Sequence, residues 1–393
     1  MKTVDLVYFD AGGGHRAAAH ALEAVMREQQ RPWNVRLVHL REVLDPQGHF
    51  RKVMGFDPED FYNQRLARGW TIGLAQELKL LQGLIRMGHG PMLRLLQPHW
   101  ARTEPDLVVS LVPNFNRVLC ESVARALPGV PYLTVMTDLA DHPPHFWVEP
   151  TVPQHLACGT AHALAQARAQ GVPAARLHAV SGMLLRPGFY AAPPADRVAA
   201  RAAAGLDADR PVGVVMFGGH GSKAMLSIAR RLPDTPLILM CGHNAALAQR
   251  LRDQPARAPR VVVGFTRDVP HWLDLADFFI GKPGPGSLSE AVQRGLPVIT
   301  VRNAFTMPQE RFNTDWVRAQ GLGLVIERFG QVAGAVEALT ARLPALRAAV
   351  QQVENRALFE VTDLVAHLLG EADGAVGSVD GLLGAGAVSS GVV

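Results

Sequence analysis

Three glycine-rich stretches hold most of the residues in this chain that could bind an anion or move a proton. Asp10-Ala11-Gly12-Gly13-Gly14-His15 follows an apolar run and leads into an alanine-rich helical pattern. Gly218-Gly219-His220-Gly221-Ser222-Lys223 follows the apolar residues 212–217. Gly281-Lys282-Pro283-Gly284-Pro285-Gly286-Ser287 stands between the apolar runs 275–280 and 298–301. Each reads as strand, loop, helix. At such a junction the unpaired N–H groups of the first helical turn collect partial positive charge, and an anion such as a diphosphate can sit there. Lys282 adds a full positive charge. Glycine lets the backbone turn tightly and come close to a bulky ligand. A histidine at a helix start, as His15 would be, loses affinity for its proton, and a general base needs the neutral imidazole.

The same residues have plainer uses. Ser287-Leu288-Ser289-Glu290 reads as a capping box opening a helix over 288–294, stopped by Gly295 and Pro297. Gly12 to Gly14 would serve as a tight turn, and His15 and His220 as exposed loop residues. The glycine spacing is neither GxGxxG nor a Walker loop. Two neighbours favour a ligand. Gly264-Phe265-Thr266 follows the apolar residues 261–263, and the polar cluster from Met307 to Asn313 follows the next strand. Parallel sheets bind ligands at the carboxyl ends of their strands, so these segments are expected on one edge.

Positioning them takes parallel strands, and the 393 residues allow two domains. Strands are expected over 3–9, 35–40, 106–111 and 131–136, with short strand ends at 157–159 and 179–182 closing a first domain, 1–186. The proline-rich residues 183–194 read as a connection. A second domain, 187–370, turns helical after Val325, and its last helix is expected to cross back to the first. Residues 371–393 are rich in Gly, Ala, Ser and Val and read as a flexible tail. Asp138, at the end of 131–136, borders a ligand or caps a turn. Residues 50–100 mix aromatics and arginines with apolar helical stretches, which suits either packing on the sheet or a membrane-contacting face with a cationic rim.

Composition narrows the classes. No run of 18 apolar residues occurs, so no membrane span is expected. The start, with Asp5 inside its apolar stretch, reads as a first strand, not a signal peptide. Cys120, Cys158 and Cys241 are odd in number and far apart, which predicts neither a disulfide framework nor a zinc site and points to a reducing compartment. His142 and His145 flank two prolines, which excludes helical metal-ligand spacing, and Asp207-Ala208-Asp209 reads as a solvated turn. The net charge is +4 and the pI about 9.2. That suits a nucleotide or an anionic membrane surface; nucleic acid would require basic clusters.

The run GFTRDVPHWLDLADFFIGKPGPGSLSEAVQRGLPVI, followed by PQERFN, resembles the donor half of the lipid-sugar glycosyltransferases. These are the monogalactosyldiacylglycerol synthases, the processive diacylglycerol glucosyltransferases and, more distantly, the N-acetylglucosaminyltransferase that forms lipid II. GGGHRAA is similar to their amino-terminal signature, VMTDLADHPPHFW to their central segment, and Cys241-Gly242-His243-Asn244 to their Cys-Gly-x-Asn. The resemblance covers most of 2–369. It implies an α/β GT-B fold, two Rossmann-like domains whose parallel sheets face a cleft. It implies an inverting transfer of a hexose from a UDP-sugar to a lipid hydroxyl, with diacylglycerol as the expected acceptor, no cofactor and no obligatory metal.

On that resemblance His15 would take the acceptor proton, with Gly13, Gly14 and Asp138 beside it on the acceptor side. Gly219, Gly284, Gly286 and Ser287 would hold the diphosphate, and Lys282 would stabilise the leaving UDP. Glu290 would accept from the ribose hydroxyls, Phe265 would offer backbone groups to uracil, and Gln309, Glu310 and Asn313 would read the sugar. Two departures leave the sugar open: Pro308-Gln309-Glu310 stands where members often have Gly-Gln-Glu, and the second glycine loop carries His220. The expected location is cytoplasmic, peripheral on the inner face of the cytoplasmic membrane. Two rivals share the nucleotide-sugar site: a UDP-sugar epimerase, whose product is a free sugar made without an acceptor, and a non-catalytic nucleotide-sugar-binding protein.

Overall fold

The computed structural model describes residues 1–10, 13–46 and 74–371. Gly12, the first part of the 50–100 region and the tail after Glu371 lie outside the described residues. Two six-stranded sheets form the frame. The first contains β1 (Lys2–Tyr8), β2 (Trp33–His39), β3 (Leu107–Ser110), β4 (Tyr132–Val135), β5 (His155–Cys158) and β6 (Leu177–Ala179), in the order β2-β1-β3-β4-β5-β6. The second contains β7 (Gly213–Met216), β8 (Leu237–Met240), β9 (Arg260–Val263), β10 (Phe278–Gly281), β11 (Val298–Val301) and β12 (Gly323–Ile326), in the order β12-β11-β10-β7-β8-β9. Every pairing is parallel.

The strand sequences explain this arrangement. LVVS, YLTV, GVVM, LILM and FFIG are near-continuous apolar runs buried throughout, as strands covered by helices on both faces must be. In β1, Val4 and Leu6 pack under the Gly14–Glu28 helix, while Val7 packs on the opposite face near Leu96 and Trp100. Asp5 interrupts the run yet is fully buried. Arg36, its register partner on β2, grips both carboxylate oxygens at 2.6 and 3.0 Å.

Each sheet has one point where the chain reverses its direction of travel across the strands. In the first it falls between β1 and β3, in the second between β7 and β10. Loops diverge there and leave a crevice at the carboxyl ends of the strands. The glycine loops after β1, β7 and β10 all sit at these two points.

The halves are tied by paired crossings. The outgoing segment passes Ser181 and Gly182; the returning one passes Asn355. A Cβ on Gly182 would lie 2.7 Å from Asn355 Cγ, so only glycine fits. Asn355 Nδ2 donates to the Met183 carbonyl at 3.0 Å and Ser181 N–H to Glu360 at 2.6 Å. The Ala357–Leu368 helix then buries Leu358, Val361 and Val365 against Leu22 and Val25 of the Gly14–Glu28 helix, in the core over the first sheet.

The second half is organised around Asp277, just before β10. Its carboxylate accepts from Val212 N–H at 2.7 Å, Arg201 at 2.5 Å and Arg197 at 3.0 Å, and also pairs with Arg347. These contacts outweigh burial and hold its pKa below the usual carboxylate value. Arg201 is itself 4% exposed. Asp277→Ala would leave a buried guanidinium uncompensated, a loss on the order of 3–5 kcal/mol. Urea denaturation should show a midpoint shift of that size; a midpoint within experimental error of wild type would mean the arginines find other partners.

Candidate active site

The first helix begins after Gly13, whose φ of 78° is left-handed and costs glycine little. Gly14 and His15 open the helix, one residue earlier than the sequence pattern placed it. His15 Nδ1 lies 3.0 Å from Thr137 Oγ1, on the loop after β4, and its ring centroid is 6.0 Å from that of Trp147. Burial lowers the His15 pKa to about 4, against a smaller opposing effect of the Leu111 carbonyl. The imidazole is therefore neutral over the physiological range.

Asp138, the next residue, is 9% exposed. Trp147 Nε1 donates to its Oδ2 at 3.0 Å, so its carboxyl anchors the indole rather than capping a turn. Burial pushes its pKa up to about 7, with the Trp147 N–H opposing. Glu310 adds to the rise and Lys282 works against it. Both belong to the second half, so Asp138 lies within electrostatic reach of the Lys282 loop. Asp141 secures this loop by accepting from Trp147 N–H at 2.7 Å and Gln170 Nε2 at 2.8 Å.

On the second half, the helix after β10 is Pro285–Gln293, with Gly284 as its N-cap and no side-chain cap. This corrects the expected capping box and the expected 288–294 helix. Proline has its φ preset and no N–H to lose, so it suits the first helical position and starts the helix early. Ser287 falls in the first turn and Glu290 in the second. Freed from capping, Glu290 Oε1 lies 4.0 Å from Arg186 of the connection. Burial pushes the Glu290 pKa up to about 7, with Arg186 opposing. Arg186 also donates to the Arg267 carbonyl at 3.0 Å.

Lys282 Nζ donates to Glu310 Oε1 at 2.7 Å. Gly284 threads beside this pair; a Cβ there would sit 3.4 Å from Lys282 Cε and 3.6 Å from Glu310 Oε1. Gly286 faces open space. Asn313 Nδ2 donates to the Pro283 carbonyl at 2.7 Å and pins the loop. Asn313 Oδ1 and Gln309 Oε1 are buried without a protein partner. Buried polar atoms are nearly always paired, so two orphaned acceptors beside one loop invite ligand donors.

Gly219 and Phe265 form a separate group. The Gly219 carbonyl accepts from His243 N–H at 2.8 Å, and a Cβ on Gly242 would lie 2.0 Å from that oxygen. His243 stacks on Phe265 at 4.0 Å and 20°, with His220 at 6.0 Å. Phe265 is 59% exposed. Across the halves, His162 stacks on Phe312 at 4.1 Å. The residues singled out from sequence thus fall into three groups: His15 with Asp138; Lys282, Gly284, Gln309, Glu310 and Asn313; and Gly219 with Phe265. Glu290 stands with Arg186 on the connection side. Sequence reasoning missed Thr137, Trp147, Arg186 and His162 as site residues. Thr137 and Trp147 stand inside the VMTDLADHPPHFW segment, which could have marked them; Arg186 and His162 carry no local motif.

Two doubly wound parallel sheets, tied by paired crossings and with glycine loops at both reversal points, define a GT-B fold, and solved structures agree. MurG of Acinetobacter baumannii superposes with a TM-score of 0.61 at 14% identity, over 93% of this chain and 100% of that one. The spinosyn rhamnosyltransferase SpnG, complexed with thymidine diphosphate, gives 0.58 at 13%, over 93% and 100%. In sequence, the chain is a homologue of the monogalactosyldiacylglycerol synthases and, like them, a glycosyltransferase. The probable monogalactosyldiacylglycerol synthase 2 of Oryza sativa subsp. indica is 28% identical over 345 residues, 82% of this chain and 70% of its own length. Further plant synthases match at 25–26%. No family model matches. These relatives are chloroplastic, which overturns the expected place on the inner face of the cytoplasmic membrane. They favour neither the epimerase nor the non-catalytic reading.

The buried carboxyls have a checkable consequence. Asp138 and Glu290 rise from the ordinary carboxyl values of 3.8 and 4.5 to about 7, so the stability they contribute is complete below pH 4 and is lost as pH rises through 7. Asp138→Asn and Glu290→Gln should each raise the urea midpoint at pH 8 and change it little at pH 4. A lower midpoint at pH 8 would mean the ionised carboxylates are stabilised in the fold.

Proposed function

We propose that the chain moves a hexose from a UDP-sugar to the free hydroxyl of diacylglycerol, inverting the anomeric centre. The observation that carries this reading is Asp138, whose carboxyl feels both charges of the Lys282–Glu310 pair on the other half and binds the Trp147 indole beside which His15 lies. A donor held on the second half would present its anomeric carbon to an acceptor on the first. The homologues' galactolipid product and the thymidine diphosphate held by SpnG support the acceptor and donor classes.

In this reading the acceptor oxygen attacks the anomeric carbon while His15 takes its proton. The bond to the diphosphate breaks and UDP leaves with the electron pair. Gly284, Gly286 and Ser287 meet its charge with the N–H groups of the Pro285–Gln293 helix start, and Lys282 adds its charge nearby. Gly219 flanks the same charge from the β7 loop. Glu290, free of a capping role, accepts from the ribose hydroxyls, and Phe265 flanks the base. Gln309, Asn313 and Glu310 meet the sugar hydroxyls. Gly13 and Gly14 leave room for the acceptor. No metal or cofactor has a part in this scheme: turnover should survive EDTA, and loss of turnover restored by manganese or magnesium would contradict it.

The same reading brings a membrane to the first half. The Leu74–Met87 helix exposes Leu80 (65%), Leu84 (55%) and Met87 (82%), and Arg86 stands in its last turn. Among the described residues no helix is long and apolar enough to cross a membrane. A surface contact fits this face, each basic residue adding about 1 kcal/mol at an anionic surface. Liposome flotation should rise with anionic lipid and fall with salt. Leu84→Glu with Met87→Glu should abolish it; unchanged flotation would free this helix of the role.

The base can be told from its alternative. His15 titrates near 4 and Asp138 near 7. With His15 as base, kcat/KM holds down to about pH 5, and His15→Ala loses ~10²–10⁴ in rate with UDP affinity unchanged. An acid limb near 7 that disappears in Asp138→Asn would transfer the role to Asp138.

A further inference from the structure

We infer that Thr137 is the positioning residue that makes His15 a base, by fixing which ring nitrogen carries the hydrogen. The inference rests on the proposed role of His15. A neutral imidazole has one N–H and one lone pair, and it can remove a proton only where the lone pair is. The partner of one nitrogen therefore decides what the other can do.

His15 Nδ1 has Thr137 Oγ1 at 3.0 Å. Thr137 stands two residues after the carboxyl end of β4 and is 9% exposed. A β-branched side chain has few χ1 choices, so its Oγ1 is held in place more firmly than a serine's would be. The carboxyl next in sequence is turned to other work, since Asp138 Oδ2 accepts from Trp147 Nε1 at 3.0 Å. Trp147 in turn packs its ring near His15, and Asp141 locks the Trp147 backbone. The imidazole is thus walled by an indole and held at Nδ1 by a hydroxyl, and the Leu111 carbonyl is a further acceptor for its N–H.

A hydroxyl partner differs from a carboxylate in one respect that matters. It can accept from Nδ1–H, yet it brings no negative charge to stabilise an imidazolium. Burial then keeps His15 uncharged far into the acid range. With Nδ1–H on Thr137, the lone pair is on Nε2. The acceptor O–H proton passes to Nε2 as its oxygen bonds to the anomeric carbon and UDP departs with the electrons of the broken bond. Nδ1–H stays on Thr137 throughout, and the imidazolium later returns its extra proton to solvent.

The test pairs spectroscopy with kinetics. In protein carrying ¹⁵N-histidine, the His15 signals should show hydrogen on Nδ1 in wild type and in Thr137→Ser, and a shift toward hydrogen on Nε2 in Thr137→Val. Thr137→Val should lower kcat about 10-fold or more, a share of the ~10²–10⁴ a base supplies, with KM for UDP-sugar unchanged. Thr137→Ser should restore most of it, and melting temperatures establish that each variant is folded. Hydrogen on Nε2 in wild type overturns the inference. So does wild-type kcat in Thr137→Val when His15→Ala is inactive, which would leave His15 as base without this partner. Full turnover by His15→Ala would instead remove the base reading itself.

Discussion

The Lys282–Glu310 ion pair is the contact on which the cleft depends. Glu310 is 4% exposed, and a carboxylate so placed stays charged only with a cation against it; Lys282 supplies that at 2.7 Å. The pair crosses the start of the helix after β10 beside Gly284. A Cβ there would meet the lysine stem at 3.4 Å and the carboxylate at 3.6 Å, ordinary contact distances. Asn313, one turn after Glu310, ties the Pro283 carbonyl to the same spot. The pair's two charges also reach Asp138 on the opposite half in opposing senses. The Lys282 loop, Glu310 and the Asp138 carboxyl are therefore one electrostatic unit.

That unit works only if the halves keep their facing. The chain secures this at the crossings, where Gly182 and Asn355 touch and Glu360 accepts from Ser181. The final helix then packs on the first sheet, so the two ends of the second half are anchored to the first. The His162–Phe312 stack adds a second contact on the cleft side. Such an arrangement leaves the cleft as the compliant part, with clipped crossings behind it.

Much of this was legible in the sequence, and for a physical reason. Strands buried on both faces read as short apolar runs, and a glycine loop between such a run and a helix marks a strand's carboxyl end. That located His15, Gly219, Lys282 and Gly284 before any coordinates. Two kinds of feature were not legible. The helix after β10 begins at Pro285, because proline favours the first turn, and this displaced a capping box that matched the local pattern at Ser287 and Glu290. Thr137, Trp147 and Arg186 gain their place through tertiary contact; the segment after β4 was marked by resemblance, but the pairings of Thr137 with His15 and of Trp147 with Asp138 were not legible in it. The membrane location was misjudged because composition carries no compartment beyond its redox state, whereas the relatives name one.

The most direct test of the central claim is a product assay on the purified chain. UDP-galactose, UDP-glucose and UDP-N-acetylglucosamine, each labelled in the sugar, would be supplied with and without diacylglycerol vesicles. The account predicts that label from one of the hexose donors moves to the lipid, in the anomeric configuration opposite to the donor's, and only when diacylglycerol is present. Conversion or release of the sugar without diacylglycerol, or tight UDP binding with no transfer to lipid from any donor, would contradict it.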